Sequence, residues 1–173
     1  MIEHKYATFW PRFVASLIDA LIFIPIEKLI SLIYRNVDSV PVLVGLYVIN
    51  ASMYLVYSIW MHGKFGQTVG KLFCRVTVLD VSEGPLRMRQ AFLRDIFFVI
   101  VLPIDLALNL PTIINGHGFL RSDDLDFVRV VVTNAAFIWG VLELITMLTN
   151  DKRRALHDFI AGSVVIRKPD SPN

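Results

Sequence analysis

The chain alternates long apolar runs with shorter polar stretches. A helix needs roughly 20 apolar residues to cross a ~30 Å hydrocarbon core. Four segments approach that length, at about 13–34, 41–61, 91–114 and 127–148. The second, "PVLVGLYVINASMYLVYSIWM", holds no charge and ends near Tyr57 and Trp60, which suit a membrane–water interface. The third is the least regular, because Arg94 and Asp95 stand near its start and Pro103 with Asp105 interrupt it. The first lies within "FWPRFVASLIDALIFIPIEKL", with Arg12 at its start and Asp19 well inside. It is too long for a signal h-region and no small-x-small site follows it, so it is expected to stay as an anchor. This pattern predicts an all-α membrane protein, a bundle of about four transmembrane helices.

The polar stretches carry weaker patterns. In "GQTVGKLFCRV", Val69, Leu72, Phe73 and Val76 recur at helical spacing, which predicts a short amphipathic helix on the membrane surface. "RVTVLD" alternates like a strand and "SEGP" is a turn signal. The tail repeats the arrangement: "DKRRALHDFIAG" reads as an amphipathic helix closed by Gly162, and "SVVIRK" as a strand. The two strands are expected to pair as a short cytoplasmic β-ribbon. Residues 1–168 form one domain, and 169–173 a frayed end.

Composition agrees with a bilayer. Hydrophobic residues make up 55% of the chain and charged residues 18%, against about 45–50% and about 25% in soluble domains. Basic residues set the orientation. Lys64, Lys71, Arg75, Arg87 and Arg89 fall between the second and third segments, and Lys152, Arg153, Arg154, Arg167 and Lys168 follow the fourth. The intervening loops "RNVDSV" and "NGHGFLRSDDLD" are poor in basic residues. Both termini are therefore expected in the cytoplasm, in a bacterial-type inner membrane. The lipid bilayer is the expected partner, with anionic lipid at the basic helices. A homo-oligomer would supply the internal symmetry that the chain lacks, but nothing requires one. The net charge of +2 gives no reason to expect nucleic acid.

Enzymatic motifs are poor. "GQTVGK" fails as a phosphate-binding loop, since Gly66 and Gly70 have three residues between them where four are needed. The same glycines form a small-xxx-small pair that permits close helix contact, or a tight turn into the surface helix. His4, His62, His117 and His157 show no metal-ligand spacing, and His62 and His117 are expected in interfacial loops. Cys74 has no second cysteine for a disulfide or zinc site. No enzyme, metal or cofactor is expected.

The charges inside the apolar segments are the informative signal. An Asp at the centre of a membrane helix costs about 2.5–3.5 kcal/mol on insertion scales, so it faces a bundle interior or a water cavity. Arg12 and Asp19 are two turns apart on one face, with Ser16 between them and Ala15 beside them. Their rise of roughly 10 Å leaves them too far apart for a direct bond. Depth brings Arg94, Asp95 and Glu143 to a similar level. The five residues Arg12, Asp19, Arg94, Asp95 and Glu143 are therefore expected to converge. One reading makes them a proton or cation site, with Asp19 as the exchanging carboxylate. The other makes them a structural ion-pair network that holds helix register.

Taken together and in order, "FWPRFVASLIDALI", "GQTVGKLFCRVTVLD", "GPLRMRQAFLRD" and "DKRRALHDFIAGSVVI" resemble the RDD family of membrane proteins, named for an arginine and two aspartates. The resemblance runs from Trp10 to Ile166. It implies that Arg12 is the family arginine and that Asp19 and Asp158 are its aspartates, with His157 beside the second. Ala155 stands where the family usually shows glycine, and the acidic stretch from Asn115 to Asp126 lies outside the pattern. The resemblance implies transport of a small solute, with cation/proton antiport proposed for some members. The alternative is a non-transporting scaffold or assembly partner whose charges lock the bundle.

Overall fold

The computed structural model describes residues 5–115 and 123–168. His4, residues 116–122 with His117, and the tail 169–173 lie outside the described residues. Four long helices are α1 (Phe9–Arg35), α2 (Val40–Phe65), α5 (Ile96–Asn115) and α6 (Asp123–Thr149). The short elements α3 (Val69–Phe73), β1 (Val76–Asp80), α4 (Met88–Arg94), α7 (Leu156–Ala161) and β2 (Ser163–Arg167) gather at one end as a polar cap.

Length and hydropathy qualify two helices to cross a membrane: α2, and residues Phe127–Thr149 of α6. α1 has 27 residues but carries Arg12, Asp19, Glu27, Lys28 and Arg35. The apolar stretch of α5, Ile96–Pro111, is shorter. The outward faces of all four expose large apolar side chains, among them Leu21, Val56, Phe98 and Phe137. A bilayer covers such faces at little cost, whereas water does not.

The expected segment at 91–114 is two helices rather than one. The Asp95 N–H bonds back to Phe92 O at 3.2 Å, which tightens the last turn of α4, and Val99 N bonds to Asp95 O at 2.9 Å to open α5. The interruption lies at Asp95, while Pro103 sits inside an unbroken α5. Stacking of Phe97 on Trp139, with ring centroids 4.5 Å apart, joins α5 to α6. Phe23 packs edge-on against Tyr54 and Tyr57, joining α1 to α2.

The cap is built on the predicted ribbon. β1 and β2 pair antiparallel, with Val76 opposite Arg167 and Asp80 opposite Ser163. Val76, Val78 and Val165 form its core with Leu86 and Ala91. Both flanking helices are shorter than the periodicity suggests. α3 stops at Phe73, because Arg75 turns left-handed at φ 54° and Val76 already belongs to β1. α7 starts only at Leu156, because residues 150–154 form a turn tied by Asn150 Oδ1 to Arg154 N at 2.9 Å. Gly66, at φ 67°, ends α2 and reverses the chain into α3, so its left-handed backbone is required there.

Candidate functional site

Asp158 is the third residue of α7, where its side chain can turn back to the helix start. Oδ2 accepts from Ala155 N at 3.0 Å, covering an amide that the helix leaves open. Ala155 does this in ordinary extended backbone at φ −79°, so the turn does not require glycine. The same Oδ2 accepts from Arg12 Nη2 at 2.7 Å, and Oδ1 pairs with Arg94 Nη1. Ser163 Oγ completes the group: it accepts from Arg94 Nη1 at 2.7 Å and donates to Asp158 Oδ1 at 3.1 Å. One fully buried carboxylate thus joins α1, α4, α7 and β2. Burial pushes the Asp158 carboxyl up. The guanidiniums of Arg12 and Arg94 outweigh burial and hold it well below the usual carboxylate range.

His157 connects this knot to α6. Arg12 Nη2 and Arg94 Nη2 approach its Nε2 at 3.1 and 2.9 Å. A guanidinium only donates, so Nε2 carries the lone pair and Nδ1 the hydrogen. Nδ1–H then donates to Glu143 Oε2 at 2.7 Å, while His157 N donates to Glu143 Oε1 at 3.1 Å. Burial, with the Arg94 charge, lowers the His157 pKa against the pull of Asp158. Arg12 Nη1 also donates to Arg153 O at 3.1 Å, a carbonyl aimed by the left-handed backbone of Arg153 at φ 48°.

Asp19 sits elsewhere and is used differently. Its Oδ1 accepts from Tyr57 Oη and from Gly70 N, both at 2.8 Å, and Oδ2 accepts from Thr68 Oγ1 at 2.6 Å. Tyr57 Oη in turn accepts from Val69 N at 2.9 Å. The carboxylate therefore seats the first turn of α3 against α1 and α2. Gly70 makes this approach possible: a Cβ there would collide with the Ala15 carbonyl and come within 3.0 Å of Asp19 Cγ. Ala15, fully buried, presents the matching small surface.

Between the knot and the helices lies a cavity of about 380 Å³. Arg12, Lys71, Arg94, Asp95, Glu143 and His157 line it, with His62 and Trp139. Asp95 Oδ2 accepts from Ser58 Oγ at 2.8 Å. His62 donates Nδ1–H to Ser58 O at 2.8 Å, which leaves Nε2 to accept from Lys71 Nζ. Burial, then the Arg94 and Arg12 charges, push the Lys71 amine well below its ordinary value.

The five residues expected to converge thus divide. Arg12, Arg94 and Glu143 meet around His157 and Asp158. Asp95 faces the cavity through Ser58, and Asp19 belongs to the α3 seat. The cause is the two-turn spacing on α1, which lets Arg12 and Asp19 share a face yet meet different neighbours. His62 is a buried residue of the last turn of α2, not of an interfacial loop. Sequence reasoning missed Tyr57, Thr68, Lys71 and Ser163. Thr68 and Lys71 stand in the glycine-flanked "GQTVGK", which is a helix seat rather than a phosphate loop. The i,i+4 pair Ser58–His62 was the available sign that the end of α2 is polar on one face.

A family model described as "RDD family" matches residues 6–162, nearly the whole chain. No curated protein and no solved structure matches it. The match spans Arg12, Asp19 and Asp158 and ends just past the helix that carries Asp158. The chain belongs to the RDD family.

Proposed function

We propose that this chain spans the membrane four times, through α1, α2, α5 and α6, and moves a small charged solute along the α2–α5 seam. The polar cap faces the cytoplasm, where its basic residues meet anionic lipid, and the chain is not an enzyme. The observation that carries this reading is a series of cavities along α2. The charged cavity shares Tyr54, Asp95 and Phe98 with a second cavity of about 240 Å³ that reaches Asp105. Asp105 Oδ2 accepts from Tyr47 Oη at 2.7 Å. Tyr47 lines a third cavity, of about 290 Å³, with Glu27 and Arg35. Asp95 and Asp105 are ten residues apart, so along α5 the two lie roughly 15 Å apart in rise. Intramembrane charges facing cavities are the usual mark of a solute path.

In this reading the solute meets Arg12, Lys71, Asp95 and Glu143, and Asp19 keeps α3 seated. The test is reconstitution of the purified protein in vesicles holding a pH dye, under imposed Na⁺, K⁺ or sulfate gradients. Flux above empty vesicles is expected under at least one gradient, slowed at least tenfold by Glu143→Gln. Absence of flux under all three overturns the proposal.

The second reading, a scaffold locked by its charges, draws on one observation: every buried side-chain polar atom of the described residues has a hydrogen-bond partner. It predicts loss of folded protein in charge variants and no flux in the wild type.

A further inference from the structure

The geometry points to the charged cavity as a site for a small oxyanion or carboxylate that is taken up together with a proton held on Lys71. This rests on the transport reading, and it names the solute class and the coupling group.

The argument starts from which donors and acceptors are already committed. Asp158 accepts from two guanidiniums, a backbone amide and Ser163. Glu143 has one oxygen on the His157 ring and the other on the His157 amide. Asp95 accepts from Ser58. Asp158 and Glu143 thus have both oxygens engaged, and a cation would have to displace their present donors, while Asp95 accepts through Oδ2 alone. Lys71 is the opposite case. An ammonium has three N–H donors, and among the described residues Nζ meets His62 Nε2. The remaining donors border the cavity, which Arg12 on α1 and Arg94 on α4 also line.

Electrostatics then links anion and proton. From α1 and α4, Arg12 and Arg94 disfavour a third positive charge. His62 on α2 and His157 on α7 stay neutral by their hydrogen-bond pattern. Asp95 and Glu143, from the α4–α5 joint and α6, and Asp158 behind the guanidiniums favour a charge on Lys71, but burial and the two arginines prevail. An anion entering the cavity adds the negative charge that stabilises the ammonium, so Lys71 takes a proton from solvent as the anion binds. Release of either favours release of the other, as linkage requires.

The test uses the full chain in detergent, with sulfate and acetate as probes, since neither titrates between pH 7 and 9. Titration calorimetry in two buffers of different ionisation enthalpy reads the protons taken up per anion. For wild type, uptake approaching one proton is expected, with affinity falling up to tenfold per pH unit once the empty-site lysine is deprotonated. Lys71→Arg is expected to bind with no proton uptake and a flat pH profile. Lys71→Gln should weaken binding at least tenfold. Size-exclusion profiles establish that both variants are folded. Failure of both anions to bind wild type overturns the inference, as does binding without proton uptake. Uptake that persists in Lys71→Arg overturns it too, by assigning the proton to another group. Because binding is read without a membrane, these outcomes are separable from the flux test. Flux without anion binding removes only the inference, and proton-coupled binding without flux removes only the transport reading.

Discussion

Asp19 and Asp158 are both buried aspartates, the two that the resemblance assigns to the family signature, and the fold balances their charges in opposite ways. Asp158 lies between two guanidiniums, so its negative charge balances positive charges brought by α1 and α4. Asp19 has only uncharged donors: two hydroxyls and a backbone amide. In the first case electrostatics ties α1 to three elements of the cap, α4, α7 and β2. In the second, dipoles seat one turn of helix, and the carboxylate needs a close backbone approach that glycine alone allows. The difference teaches that a charge in an apolar segment has two distinct structural uses. One is as a counter-ion and the other as a multidentate acceptor.

The sharpest break of this comparison is Asp158→Asn. It leaves Arg12 and Arg94 facing each other without their shared anion, and removing one partner of a buried pair typically costs about 3–5 kcal/mol. Arg12→Met added to Asp158→Asn should cost clearly less than the two single losses combined, because both touch one network. Thermal unfolding in detergent checks both. The pH dependence has a definite sign. The carboxyl pKa is depressed in the folded state, so its contribution is complete above the unfolded value of about 4. It is lost as pH falls from there through the folded value. The wild type should weaken on that acid side, and Asp158→Asn should show a flatter acid limb.

The second break falls on the other aspartate. Gly70→Ala places a Cβ against the Ala15 carbonyl, which is backbone and cannot swing away. Such overpacking typically costs about 1–3 kcal/mol. Gly45→Ala, where a Cβ meets nothing within 4 Å, should leave stability unchanged or slightly raised. A Gly70→Ala variant as stable as Gly45→Ala, unchanged or slightly raised by helix propensity, would show that the seat at Asp19 does not need glycine there.

How far the sequence discloses this arrangement depends on which physical signal a residue leaves. The ribbon is legible because "RVTVLD" alternates and "SVVIRK" is a short β-branched run, both flanked by turn signals. The apolar helices are legible because hydropathy accumulates over 20 or so residues. Arg12 and Asp158 are legible through the family pattern, and their pairing agrees with the depth of each. Depth does not set direction around the helix, however. Arg12, Asp19, Arg94, Asp95 and Glu143 can share a level and still face different neighbours. The joint at Asp95 is hidden for a similar reason: a charge near the start of an apolar run does not tell a break from a snorkelling side chain. Lys71 is the hardest to see. A basic residue on a surface helix normally points to headgroups, and only the seating of Thr68 and Gly70 on Asp19 turns it inward.

Tyr57→Phe is the finest probe of the contrast. The tyrosine hydroxyl donates to Asp19 and accepts from Val69 N, so it is the middle of the seat rather than its base. Its loss leaves Asp19 with Thr68 and Gly70 as donors, and leaves Val69 N, at the start of a short helix, to another acceptor or water. One hydrogen bond of this kind contributes about 1 kcal/mol, so a small drop in unfolding temperature is expected. Transport should be nearly unaffected, because Tyr57 and Asp19 do not line the charged cavity. If Asp19 instead carries the moving proton, removing a hydroxyl bonded directly to it must shift the pH profile of flux. A profile that moves in Tyr57→Phe while stability barely changes would return Asp19 to the transport path. An unmoved profile leaves it as the acceptor that holds α3 in place.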